Sequence, residues 1–183
     1  MKLTAALLSL IVPAAMAASH KSGGGRTAPA SHPPAYSVQA GSVGLAGVRR
    51  VGGLPGLHKV LPALRSPAGL KGPLKAEGRG VITIAWDYRA GAPGLSDWWT
   101  AAQAGTASPQ SVTVALSAQD APHKAEYVFN GCALERYAAP KPGSKPPFAA
   151  ARFHCASYAF SFDGKSAGGG TFSEAKPKKA PAK

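Results

Sequence analysis

The sequence predicts a mainly β protein: an antiparallel barrel or sandwich with one short helix, long loops and disordered termini. Three observations carry this. Apolar and polar residues alternate with a period of two in Val81 to Tyr88, Ser111 to Ser117 and Arg152 to Phe162. The 22 Gly and 17 Pro of the 183 residues cluster between such runs rather than inside them. One stretch, Ser96 to Gly105, carries helix start and stop signals.

Taken in order, residues 1–17 read as a signal peptide. Lys2 gives a positive start, Ala5 to Ala15 is almost wholly apolar, and Ala15-Met16-Ala17 places small residues where a signal peptidase cuts. The apolar run is too short to span a bilayer comfortably, and no stop-transfer segment follows. Cleavage near Ala17 places the mature chain in the periplasm or outside the cell. Residues 18–34, with Gly23-Gly-Gly25 and His32-Pro-Pro34, form a flexible linker.

A β-rich domain is expected over 35–164. Tyr36, Val38 and Ala40 alternate as a short strand, and a second falls around Val48 to Val51. Residues 52–80 hold too many Pro and Gly for continuous structure and read as a long irregular loop. In Val81 to Tyr88, the row Ile82, Ile84, Trp86 and Tyr88 faces one way. The helix follows, capped by Ser96, with Asp97 at its positive end and Gly105 closing it. Trp98 and Trp99 point about 100° apart, so one of them can be centrally buried. Val112, Val114 and Leu116 then share a face. Glu126 to Tyr137 is one long strand or two joined at Gly131, where a glycine marks a bulge. In Arg152 to Phe162, Tyr158, Phe160 and Phe162 lie on one side and Phe153 and Cys155 on the other. Residues 165–183 read as a basic disordered tail.

Cys132 and Cys155 are equidistant from the middle of the turn-rich run Pro140 to Pro147. If that run is the loop of an antiparallel pair, the two cysteines lie opposite each other, at a Cα separation of about 4.5–5.5 Å that a disulfide can bridge. An oxidising compartment makes the bridge the default.

Chemistry is harder to place. His58, His123 and His154 have no zinc-binding spacing. No Gly-x-Ser-x-Gly elbow accompanies the Ser, His and Asp residues. Asp87, Asp97, Asp120, Glu126, Glu135 and Asp163 fall at turns, a helix start or alternating polar positions. Gly23 to Gly25 and Gly168 to Gly170 lack the frame of a phosphate loop. The reading is therefore no catalytic residue, no metal, no cofactor and no small-molecule substrate. The 21 Lys and Arg against 8 acids, net +13, favour anionic partners. Lys176, Lys178, Lys179 and Lys183 in the tail are candidate contacts to an anionic polymer or membrane surface.

The order Tyr36-x-Val38, Gly47-Val-Arg-Arg-Val-Gly-Gly-Leu54, Val81-Ile-Thr-Ile84, Ser96-Asp-Trp-Trp99, Ser111-Val-Thr-Val-Ala-Leu116, Tyr127-Val-Phe-Asn-Gly-Cys-Ala133 and a last strand near Phe153 to Phe162 resembles the tail tube protein family of contractile phages, including the tube protein of type VI secretion. The resemblance implies a barrel-like subunit with a flanking helix that forms stacked hexameric rings and has no catalytic residue. It also implies that loop 52–80 reaches the next ring, with Leu54, Leu57, Leu61 and Leu64 as possible subunit contacts. The chain departs from the family in its leader, in the cysteine pair and in lacking a Glu in the last strand. Two functions follow: an exported structural protein that assembles with itself, and a secreted basic module that binds an anionic polymer or membrane. A secreted hydrolase is a third, without a constellation to support it.

Overall fold

A computed structural model describes residues 34–75, 78–88, 92–119, 121–140 and 148–173. In chain order these form β1 (Ala35–Ala40), β2 (Val43–Leu45), β3 (Val48–Gly52), α1 (Leu57–Arg65), β4 (Leu74–Lys75), β5 (Val81–Asp87), α2 (Pro93–Gln103), β6 (Gln110–Ser117), β7 (Lys124–Ala138), β8 (Phe148–His154), β9 (Ser157–Phe162) and β10 (Lys165–Thr171). The mainly β architecture expected from the sequence is the one observed.

Strand β7 is the spine. Its first half lies between β6 and β9, and its second half runs beside β8. Two sheets therefore share it: β2-β1-β6-β7-β9-β10-β4 and β7-β8-β5-β3. The ladders are antiparallel, apart from the short parallel pairing of β10 with β4. The two ends of the strand path, β2 and β3, are not joined by a ladder, so the sheet stops short of a closed barrel. β2 pairs with β1 from Val38 to Ala40 and covers that part of its outer edge.

At the middle of the spine the alternation changes phase. Ala125, Tyr127 and Phe129 point inward in the first half of β7, and Cys132 and Leu134 in the second. The opposing chain changes phase at the same level, from Phe153 and Cys155 to Tyr158, Phe160 and Phe162. Gly131, at φ +62°, supplies the left-handed residue of the bulge expected there. Cys155 and Ala156 interrupt the partner, and the Ala156 N–H donates to the Asn130 carbonyl at 3.0 Å. The sequence reading placed Phe153 and Cys155 on the face opposite Tyr158. The paired irregularity instead turns both sets into one core.

That core joins the inner faces of the two sheets. Trp86, Tyr127, Phe129, Phe153 and Phe160 are fully buried, with Tyr127 and Phe160 at 4.6 Å between ring centres. Each such ring contributes roughly 2–3 kcal/mol by leaving water. Val112, Val114 and Leu116 face inward as a row. Ile82, Ile84 and Trp86 do so as well, but Tyr88, at the end of their row, is exposed.

Several expectations need correction. Residues 52–80 are not one irregular loop: they contain α1 and β4, so there are two helices rather than one among the described residues. In α1, Val60, Ala63 and Leu64 meet the core, the i, i+3, i+4 spacing of a helix face. Pro62 lacks the N–H that would bond back to the His58 carbonyl, which explains why the segment does not read as helical. Helix α2 runs from Pro93, with Ala92 at the N-cap position, and does not start at a Ser96 cap. Its end is as read: Gly105 at φ +70° with Thr106 N–H donating to the Ala101 carbonyl at 2.9 Å. Trp98 is buried and Trp99 only partly so. The tail begins later than residue 165, because Asp163 (φ +52°) and Gly164 (φ +73°) make a type I′ turn that leads into β10. The expected signal peptide, the linker up to residue 33 and the tail beyond 173 lie outside the described residues.

Candidate functional site

Cys132 and Cys155 are bonded, with Cα atoms 3.9 Å apart, and both are buried. They sit one step past the phase change, where the two sheets diverge from the spine. Burial keeps the sulfurs from solution partners, so the bridge is placed as a staple between strands.

His123 is the residue whose surroundings come nearest to those of a catalytic group. Its Nδ1 lies 2.6 Å from Asp163 Oδ2, and its Nε2 lies 3.0 Å from the Ser66 carbonyl oxygen. A general base needs its second nitrogen facing a nucleophile. Here that nitrogen is occupied by a backbone carbonyl. His123 instead ties together three segments: the end of α1, the β6–β7 turn and the β9–β10 turn. The Lys124 N–H donates to Asp163 Oδ1 at 2.9 Å. This bond holds the Asp163 carboxyl below the usual range; desolvation, the next largest effect, opposes it, and His123 and Lys165 add smaller lowering contributions.

The acids and histidines read from the sequence are otherwise dispersed. Arg152 Nε meets Glu135 Oε2 at 3.0 Å, a pair open to solvent. Among the described residues no three His, Cys, Asp or Glu side chains gather as a metal site requires. Nor is any helix among them long and apolar enough to cross a membrane. Asp120 lies outside the described residues, as do Lys176, Lys178, Lys179 and Lys183. Leu54 and Leu64 are buried in the protein's own core, and Leu57 and Leu61 are packed partly against it. The first two are therefore not free to meet a neighbour.

What the fold does present is two outer sheet faces of unlike character. On the first sheet, Ser37, Ala115, Glu126, Ser161 and Ser166 form one row across five strands, and Gln39, Thr113, Val128, Ala159 and Gly169 form the next. Glu126 is the single charge in these two rows over the five strands; the second row continues from Gly169 to Lys75 on β4, and Lys124 faces outward two residues before Glu126. On the second sheet the outward residues include Arg50, Arg136, Arg152 and His154. The separation follows from the alternation: the inward residues are apolar throughout, so the outward set alone distinguishes the sheets. Sequence reading missed this, because the faces appear only once the strand order is known.

No protein-family model matches the chain, and no curated protein sequence matches it. In structure the chain is similar to Hcp1 from Flavobacterium johnsoniae, at 15% identity and a TM-score of 0.45, over 72% of this chain and 96% of that one. A likeness of that order says nothing of function.

Proposed function

We propose that this is an exported, non-enzymatic structural subunit that assembles with copies of itself into rings or tubes. The observation that carries the reading is the nearly uncharged outer face of the first sheet in a chain of net charge +13. Two such chains repel each other over most of their surfaces. The nearly uncharged centre of that face, with Lys124 and Lys75 at its margins, is where a second copy can approach, and Glu126 there is complementary to the arginines of the other sheet. A contact between two different faces of one subunit is heterologous, and it closes into a ring or continues as a filament. The order of sequence motifs resembling tail tube proteins supports the same reading.

The test is the size of the mature, oxidised protein by light scattering, followed by electron microscopy of any large species. Rings or longer assemblies are expected, and Thr113→Arg with Ala159→Arg reduces them to monomers by placing cations on the contact face. A wild-type chain that stays monomeric at high concentration overturns the proposal. So does an assembly indifferent to the two arginines.

A further inference from the structure

A surface groove runs along the outer side of β3 and β5 and continues past the start of α1. One part, about 440 Å³, is lined by Arg50, Gly52, Gly53, Thr83 and Ala85. The adjoining part, about 370 Å³, shares Gly53 and includes His58, Gly78, Arg79 and Gly80 in its lining. The described residues lining the two parts include three basic side chains and no acid. The floor is low because its residues are small. At Gly53, φ is +83° and a Cβ would lie 2.0 Å from the Val81 carbonyl oxygen, so a side chain cannot fill the junction. Across the sheet Thr83 pairs with Gly52 on one side and with Arg152 on the other. Arg50, opposite Ala85, and Arg152, opposite Thr83, thus flank the floor two strands across and two residues along, roughly 12 Å apart.

We propose that this groove binds an acidic polysaccharide, with Arg50 and Arg79 contacting its carboxylate or sulfate groups. Guanidinium groups suit such planar or multi-oxygen anions because each offers several N–H donors in a fixed fork. The lining also favours a saccharide over other polyanions. Single-stranded nucleic acid is held by stacking on aromatic side chains, and no Phe, Tyr or Trp lines either part. The exposed aromatics Tyr88 and Phe148 lie at the Asp87 end of β5, away from Gly53. A membrane surface would call for fully exposed apolar side chains beside the cations, whereas in the lining Leu54 is buried and Leu57 and Val81 are half-buried. The groove shares Arg50 with the second-sheet face that meets Glu126 in the proposed contact, so it is open on the unassembled subunit.

The experiment uses the full mature protein with heparin and polygalacturonate as probes, titrated between about 50 and 200 mM salt. Binding to at least one probe is expected, weakening steeply with salt. Arg50→Ala with Arg79→Ala lowers the affinity about tenfold and flattens the salt dependence by roughly two charges. Lys124→Ala with Lys165→Ala removes the same charge from the far turn and changes affinity less than about twofold, the ordinary effect of a distant surface charge. Deletion of residues 176–183 leaves the groove-dependent loss in place. Equal losses in the two double variants overturn the site, since net charge alone would then explain binding. Failure to bind either probe overturns it too. Equal binding of an oligothymidylate or of phosphatidylglycerol vesicles, lost in the same double variant, overturns the saccharide assignment.

Discussion

Tyr127 joins the spine to the segment ahead of α1. Its hydroxyl donates to the Pro55 carbonyl at 2.8 Å, inside the core, while its ring packs on Phe160. Burial pushes the phenol well above its ordinary value of 10.0, and the nearby Tyr158 and Tyr36 push the same way. Tyr127→Phe keeps the ring but leaves the Pro55 oxygen without its donor, so a loss of about 1–2 kcal/mol is expected in urea denaturation at neutral pH. The sign of the alkaline effect follows from the raised value. Below pH 10 the phenol is neutral in both states and its contribution is complete. Above pH 10 the unfolded chain ionises first, so stability falls as pH rises. The phenylalanine variant lacks this contribution, and its stability declines less between about pH 10 and 12. Tyr36 and Tyr137, also raised by burial, leave a residual slope in both proteins. Identical slopes would show that Tyr127 ionises as freely in the fold as outside it.

At the scale of elements, β10 is held in place by glycines. Gly168 has φ +148°, and a Cβ there would lie 2.3 Å from the Leu74 carbonyl oxygen, on backbone that cannot move aside without breaking the pairing with β4. Gly168→Ala is expected to cost about 2–4 kcal/mol by strain and lost pairing. Gly44→Ala in β2, where nothing lies within 4 Å, changes stability by less than about 0.5 kcal/mol. Thermal denaturation of the two variants separates a required glycine from a tolerated one, and similar melting points would refute the assignment. Gly168 also shows why part of the fold was not legible. A strand written Lys-Ser-Ala-Gly-Gly-Gly-Thr shows no alternation, so composition alone sends it to the tail. The Asp163-Gly164 pair was the available signal, a strong hairpin turn after an alternating strand. Helix α1 was hidden the same way: Pro62 and the flanking glycines outweighed the spacing of Leu57, Val60 and Leu64. By contrast, β5 and β6 read directly, since one face of each is apolar and the other is not. The unlike outer faces and the groove depend on which strands become neighbours. That is decided by long-range pairing and leaves no mark in any single segment.

Over the whole molecule, two sheets can share one core because β7 and its partner chain change phase together at Gly131 and Ala156. An irregularity in one strand alone would turn half of the aromatic residues to solvent. The register is kept through the change: Asn130 pairs with Ser157 on one side of it and Ala133 with His154 on the other. Between them stands the Cys132–Cys155 bridge, 23 residues apart in sequence. The unfolded chain without it must close that loop unaided. In the chain-entropy description the bridge contributes about 3 kcal/mol. Cys132→Ala with Cys155→Ala is therefore expected to lower the unfolding free energy by about 3 kcal/mol, with a smaller additional loss from the two buried sulfurs. The wild-type protein measured in reductant should move to nearly the same urea midpoint as the variant. Hydrogen exchange should rise first in β8 and β9 near the break at Ala156, where backbone pairing is already interrupted, while β5 and β6 stay protected. If oxidised, reduced and alanine forms unfold at one midpoint, the paired phase change holds the two sheets together through packing alone, and the staple adds no stability.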